Sequence, residues 1–389
     1  MFSCEAEAVS CTQNADGSYA VLFDRTVFFP NKGGQPCDIG TAGEASVTDC
    51  SERNGELVHT VDRPLAPGEK VLLTIDKERR LDIMRQHTGE HILSWAMWEM
   101  FGAVNVGFHC ALDYATLDAD KPLTAENIKA MEDLSNRVVM ENRPVSAKIY
   151  ETEAELEGVK LRKHTEGLEA PIRVVTVQDA DSCTCCAPHV KLTGEIGLIK
   201  ITQFASYKGG TRVTFLCGGR ALAFVQREQE ILRMLAGRFS TAPEKLPEVV
   251  EKQCRDLDET KKKAVSLSAD LEQYLTAELK AGAEKIKTVS LLVDRVKTDT
   301  KRLRPLAQST LGEKSVSLLF CENGETVGYV IASSGLKENM GEWLQAVNAA
   351  LNGKGGGRGD MAQGSAPGTL SEETLEQLRT YFRARCKSL

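Results

Sequence analysis

Residues 80–102, RLDIMRQHTGEHILSWAMWEMFG, mark the point where the pattern of this chain changes. Apolar side chains here recur every three or four residues, the period of a helix with a buried face, and Gly102 supplies a stop signal. His87 and His91 lie four apart on that helix, so both imidazoles project from one face about one turn apart. One cation could take both rings; alternatively, each ring simply satisfies hydrogen bonds in a core.

Upstream, residues 1 to about 75 read as short strands, AVLFDRTVFF, EASVTDC, GELVHTV and KVLLTI, separated by Gly, Pro and Asn/Asp turns. Downstream, to about residue 218, extended stretches (VNVGFHCALDY, ATLDAD, PVSAKIY, IRVVTV, IGLIKITQFA, TRVTFLC) mix with a helix through LTAENIKAMEDLSNRVVMEN, which carries Thr124 and Glu126 near its start. From Ala221 to about Lys287 the composition turns to Lys, Glu, Gln and Leu, broken by TAPEKLP, which predicts two helices and a turn. Val225, Leu232 and Phe239 repeat at seven residues in the first, and Val250, Leu257, Ala264 and Leu271 in the second. A solvated hairpin and a dimer arm fit this pattern equally. The last hundred residues alternate again, with strands VSLLVDRV, SVSLLFCE and TVGYVIASS, a helix through MGEWLQAVNAALNG, a Gly-rich loop KGGGRGDMAQG and a closing helix. The expected fold class is α+β: a small β-barrel over 1–78, an α+β domain holding the metal site over 79–219, a helical hairpin or coiled-coil linker over 220–287, and an α/β domain over 288–389.

Composition sets bounds on function. A chain of 389 residues, 42% apolar and 26% charged, is long enough for several cores without staples. No run of some twenty apolar residues is present and the first residues lack the pattern of a secretory signal, so the expected compartment is the cytoplasm, with no membrane partner. In that reducing setting the twelve cysteines are expected to be free thiols or metal ligands. The net charge of −7 does not mark a nucleic-acid binder, so any RNA contact must be local.

A second metal motif lies in DSCTCCAPHV, residues 181–190, where Cys185 and His189 are also four apart, in a loop because Pro188 interrupts any helix. His87, His91, Cys185 and His189 together form a nitrogen and sulfur set suited to tetrahedral zinc. Cys183 or Cys186 could replace Cys185, or be buried thiols; spacing does not choose. Four protein ligands usually mean a closed structural site, whereas a catalytic zinc keeps one position open. A catalytic role therefore needs a labile ligand, an expanded coordination shell, or a zinc that positions substrate while other groups activate water.

HTGEH at 87–91, CCAPH at 185–189, TVFFPNKGGQPCDIG at 26–40 and GFHCALDYATLD at 107–118 resemble the editing domain of alanyl-tRNA synthetase and its freestanding AlaX relatives, whose usual forms are HTxxH, CxxxH and TxFYPxxGGQxxDxG. NGKGGGRGDMAQG, residues 352–364, is similar to the last domain of that synthetase, shared with DHH-type phosphoesterases, and the order is that of the long AlaX form. The resemblance implies zinc on His87, His91, Cys185 and His189, and hydrolysis of the wrong amino acid, serine and secondarily glycine, from alanine tRNA. It implies no charging, since the chain begins at the editing barrel, and no ATP. Departures are Cys-Ala-Pro where the box usually reads Gly-Gly-Thr, and Cys37 where a small hydroxyl residue is common.

Sparing alanyl-tRNA requires a pocket that hydrogen-bonds the seryl hydroxyl, because its polar groups would be left unpaired against alanine. Thr26 and Gln35 are the candidates, against plain roles as a strand and a turn residue. His109 is either a catalytic group or a satisfied buried histidine. Lys354, Gly355, Gly356, Gly357 and Arg358 could present backbone N–H groups and charge to a phosphate of the tRNA body, or form a plain turn. Lys261, Lys262 and Lys263 read as a solvated face. The rivals are a non-catalytic zinc-containing tRNA-binding protein and a phosphoesterase, for which the Asp-His-His box is missing.

Overall fold

The computed structural model describes residues 1–162 and 170–389. Two compact units divide at Pro243/Glu244, inside the segment expected to be one helical linker.

The first unit opens with β1 (Ser3–Gln13), β2 (Tyr19–Phe23), β3 (Gly40–Ala42), β4 (Ala45–Arg53), β5 (Glu56–Val61) and β6 (Lys70–Ile75), closed into a barrel in the order β1-β2-β5-β4-β3-β6. Inward residues of alternating strands fill it, including Ala6, Ala8, Val21, Val47, Val61 and Leu73. The strand expected to run through AVLFDRTVFF ends at Phe23. Side chains take over from the ladder there: Asp24 Oδ1 accepts from Glu7 N at 2.8 Å and Thr26 Oγ1 from Phe28 N at 3.0 Å.

His59 on β5 is 1% exposed, with the rings of Phe23 and Phe28 edge-on at 5.0 and 5.4 Å and Nδ1 without a partner among the described residues. Burial lowers its pKa to about 4. A free imidazole in the unfolded chain titrates near about 6.5, so between those values the unfolded state binds the extra proton and stability falls as pH falls. The full effect is about 3 kcal/mol, complete only near the lower value. We expect the denaturant midpoint to drop between pH about 7 and about 4 more in the wild type than in His59→Gln; equal drops would remove His59 from the account.

After the barrel come α1 (Lys77–Phe101), β7 (Asn105–Cys110), β8 (Ala115–Ala119), α2 (Ala125–Met140), β9 (Val145–Tyr150), β10 (Ile172–Val177), β11 (Ser182–Thr184), β12 (Ile199–Tyr207), β13 (Gly210–Cys217) and α3 (Gly219–Arg238). Asp76 caps α1 through Arg79 N, and Gly102, left-handed at φ 59°, closes it onto Trp98 O. The sheets are β12-β13-β8-β7 and β11-β10-β9. Ile92, Leu93, Ala96 and Met97 of α1 pack with Leu117, Val213 and Phe215 into the main core. Gly89 sits where a Cβ would lie 2.3 Å from Cys217 Sγ, so only glycine lets β13 pack against α1 between the two histidines. A buried ion pair ties barrel to helix: Arg80 Nε donates to Asp38 Oδ1 at 2.8 Å and Nη2 to Val27 O at 2.8 Å, while Asp38 Oδ2 accepts from Phe29 N at 2.6 Å.

The second unit begins with α4 (Leu246–Ala281), then β14 (Glu284–Ile286), β15 (Val289–Arg295), α5 (Thr300–Ser309), β16 (Ser315–Asn323), β17 (Thr326–Ser334), α6 (Met340–Leu351), β18 (Lys354–Arg358), β19 (Met361–Pro367) and α7 (Glu372–Lys387). Its sheet runs β14-β15-β16-β17-β19-β18, with β15 and β16 parallel across the α5 crossover and the other pairs antiparallel. Trp343, Leu344 and Val347 of α6 and Leu375, Leu378 and Phe382 of α7 build one buried cluster on the sheet; Leu303 and Leu306 of α5 and Leu279 of α4 build another. Along α4, Val250, Leu257 and Leu271 of the seven-residue repeat are exposed.

KGGGRGDMAQG is not a loop. It is the hairpin β18–β19, with β18 at the sheet edge, paired Gly355 to Gly364 and Gly357 to Ala362. A Cβ at Gly355 would lie 2.4 Å from Gly364 Cα, and one at Gly357 2.2 Å from Met361 O. Close approach of the two strands accounts for these glycines, without a phosphate-binding turn.

Candidate metal centre

Helix α1 delivers His87 and His91 side by side, and the segment after β11 brings back Cys185 and His189. All four donor atoms lie within 4.8 Å of one another. Cys185 Sγ is 3.6 Å from His87 Nε2 and 3.4 Å from His189 Nε2. With Zn–N near about 2.05 Å and Zn–S near about 2.3 Å, the sulfur–nitrogen edge of a tetrahedron is about 3.6 Å. These separations therefore match a site for one ion.

The hydrogen bonds around the rings point the same way. His87 Nδ1 meets Gln35 Oε1 at 2.5 Å, so it donates and leaves the Nε2 lone pair free. His91 Nδ1 donates to Asp181 Oδ2 at 3.0 Å. Thr88 Oγ1 already donates to Met84 O at 2.8 Å, so at 3.0 Å it must accept from His189 Nδ1. Each Nδ1 carries its proton toward an acceptor, and the Nε2 lone pairs of His87 and His189 face Cys185. Outward acceptors of this kind fix the tautomer and orientation of metal-binding imidazoles.

Burial, with the charge of His91 second, holds His87 and His189 well below the ordinary imidazole range. Burial also opposes charge on His91, but Cys183 and Asp181 outweigh it and hold that ring well above the range. Burial would raise the Asp181 carboxyl, yet hydrogen bonds from His91 and Arg162 bring it down to about 2. Arg162 grips Asp181 with two bonds, Nε to Oδ1 at 2.6 Å and Nη2 to Oδ2 at 3.1 Å. Arg173 Nη1 fixes the ligand loop by donating to Cys185 O and Ala187 O at 2.7 and 2.8 Å.

A cavity of about 360 Å³ opens beside the cluster, walled by Phe29, Phe108, Asn105, Glu90, Arg162 and Cys186 among others. Gly34 N-terminal to Gln35 makes this fit possible: at φ 76° it lies against β7, where a Cβ would come 2.5 Å from Phe108 O, and its carbonyl accepts from Cys110 N at 2.6 Å.

The site residues expected from sequence are distributed as follows. His87, His91, Cys185 and His189 come together. Gln35 joins them, with Oε1 committed to His87. Thr26 lies apart, its hydroxyl shared between Phe28 N and His59 Nε2, the latter at 2.8 Å. His109 is exposed near Tyr114, neither buried nor beside the cluster, because its strand neighbour Phe108 takes the inward face. Cys183 is buried with Sγ 3.4 Å from His91 Nδ1, and with His91 and Asp181 forms a second donor group. Cys186 is exposed. Lys354 through Arg358 are exposed on β18. Asp181, Thr88, Arg162, Arg173 and Glu90 were not anticipated. Asp181 and Cys185 flank β11 four residues apart, a spacing that repeats the other two motifs and was the available clue.

The threonyl and alanyl tRNA synthetase second additional domain matches residues 172–214, and the DHHA1 domain matches residues 288–388. The chain is 30% identical over 377 residues to the alanyl-tRNA editing protein AlaX-L of Pyrococcus horikoshii, covering 93% of this chain and 92% of that protein. It belongs to the alanyl-tRNA editing protein family. Aarsd1-B of Xenopus laevis, another alanyl-tRNA editing protein, is 29% identical over 91% of this chain and 86% of its own length. The alanine–tRNA ligase of Thermococcus kodakarensis is 33% identical over 92% of this chain, which spans 40% of that ligase's length. Cys185 and His189 fall inside the synthetase-type match, His87, His91 and most of the cavity wall precede it, and all of β15 to β19 falls inside the DHHA1 match.

Proposed function

We propose that this member of the editing family is a zinc-dependent hydrolase that, in trans, removes serine and secondarily glycine from mischarged alanine tRNA and spares the alanyl ester. The observation that carries this reading is the convergence of three imidazoles and one thiol beside an open cavity. His87, His91, Cys185 and His189 would hold the ion. When bound, zinc supplies a Lewis acid able to hold the substrate's amino group or polarise its carbonyl. Gln35, Asp181 and Thr88 keep the rings aimed; Arg173 holds the loop that carries Cys185. Phe29 and Phe108 shield the reacting ester from bulk water. An aminoacyl ester is intrinsically labile, so fixing it against these groups supplies much of what hydrolysis needs.

In this reading the second unit holds the tRNA body, with the outward edge of β18 and the charges of Lys354 and Arg358 against the phosphate backbone. The exposed apolar residues of α4 are the surface through which a homodimer would form. The expected compartment is the cytoplasm.

The test is a deacylation series. Wild-type protein is expected to hydrolyse seryl-tRNA for alanine and to leave alanyl-tRNA largely intact, with the activity lost on chelation and restored by zinc. Retention of both esters would overturn this function in favour of a non-catalytic tRNA-binding protein.

A further inference from the structure

Glu90 stands between the two histidines of α1, 5% exposed, and its carboxylate lines the cavity beside the cluster. Its two oxygens are treated differently. Oε1 accepts from Ser94 Oγ and from Asn105 Nδ2, both at 2.5 Å, and Asn105 Nδ2 also donates to Ser94 Oγ at 3.0 Å. Asn105 is itself held, since its Oδ1 accepts from Gly107 N at 2.9 Å. No described residue donates a hydrogen bond to Oε2, which faces the cluster in a long ion pair with His91, 3.9 Å from Nε2. The carboxylate is thus locked in place by one oxygen and offers the other to whatever enters the cavity.

We infer that Glu90 is the residue that selects serine, its Oε2 accepting the proton of the seryl hydroxyl. This rests on the editing function proposed above. A neutral O–H donor suits an acceptor-only oxygen at this position, and in the function proposed above the substrate's amino group is left to the zinc. An alanyl methyl in that place would cover a buried carboxylate oxygen with no partner, which is the arrangement that rejects a substrate lacking a hydroxyl. Thr26 and the Gln35 carbonyl are occupied by His59 and His87, whereas Oε2 is available.

The experiment compares wild type, Glu90→Gln and Glu90→Ala on seryl-, glycyl- and alanyl-tRNA for alanine. It adds bound-metal content and the affinities for 3′-serylamino- and 3′-alanylamino-adenosine, which cannot be hydrolysed. Loss of a charged hydrogen bond predicts a fall of about 10- to 100-fold in kcat/KM for the seryl ester in both variants. Glycyl hydrolysis should fall by no more than about threefold, and the preference for the serylamino over the alanylamino compound should shrink by the same factor as the seryl rate. Bound metal should stay at the wild-type level. An unchanged serine-to-alanine ratio, or seryl and glycyl rates falling together, would overturn the assignment and leave the editing function standing. Loss of metal in both variants would make Glu90 architectural instead. A wild type that hydrolyses none of the esters would sink the editing function and the assignment with it.

Discussion

Replacing Cys185 with alanine is expected to remove bound zinc and to lower deacylation of seryl-tRNA for alanine by at least about 100-fold. Cys185 is the sole sulfur of the four-residue cluster, and its Sγ lies within 3.6 Å of two imidazole nitrogens. Without it three imidazoles remain, and a set lacking the thiolate loses both a donor and the charge that offsets the cation. Neighbouring thiols provide the control. Cys186 is exposed, and Cys183 is buried with burial pushing its thiol pKa upward, so neither matches the geometry of Cys185. Metal content should therefore survive Cys186→Ser and fall in Cys185→Ala. Full metal in Cys185→Ala, or full turnover in that variant after chelation, would refute the ligand assignment.

The second large effect is expected at Asp181. Its side chain is fully buried and holds both His91 and Arg162, the latter only 6% exposed. Asp181→Ala would strand a buried guanidinium, for which removal of one partner typically costs about 3–5 kcal/mol. His91 would also lose the acceptor that fixes its tautomer, weakening metal binding by about 10- to 100-fold. Unfolding by urea in the presence of chelator isolates the first effect, and metal titration of the folded protein reads the second. An unchanged urea midpoint in chelator would show that Arg162 finds another partner and that the pair contributes little.

The ligand positions were legible because both motifs are local. A spacing of four on a helix brings His87 and His91 together whatever surrounds them, and Pro188 forces a turn between Cys185 and His189. The partners of those ligands were not legible. Gln35 reaches His87 across 52 residues and Asp181 reaches His91 across 90, through the docking of the Gly33–Gly34 turn on β7 and the placement of β11, and no local periodicity encodes either. His109 shows the same limit at the scale of one residue: a strand presents either His109 or Phe108 to the cavity, and only the packed sheet chooses Phe108.

The Gly-rich segment misled for a different reason. Glycine is a poor strand former by propensity, so KGGGRGD reads as a loop. Its glycines are instead required where β18 and β19 approach too closely for side chains at positions 355 and 357.

Sequence alone determined the barrel strands, the α1 helix, the helical stretch around Pro243 and the four metal-binding candidates, because each depends on spacing within a few turns of chain. Tertiary structure decided where the units divide, which nitrogen of His87 and of His189 is left free, and that Glu90 rather than Thr26 presents an open oxygen to the cavity. Those outcomes depend on which groups from distant segments meet in a water-poor interior, where every buried donor and acceptor must find a partner and the remaining lone pairs are left for a ligand.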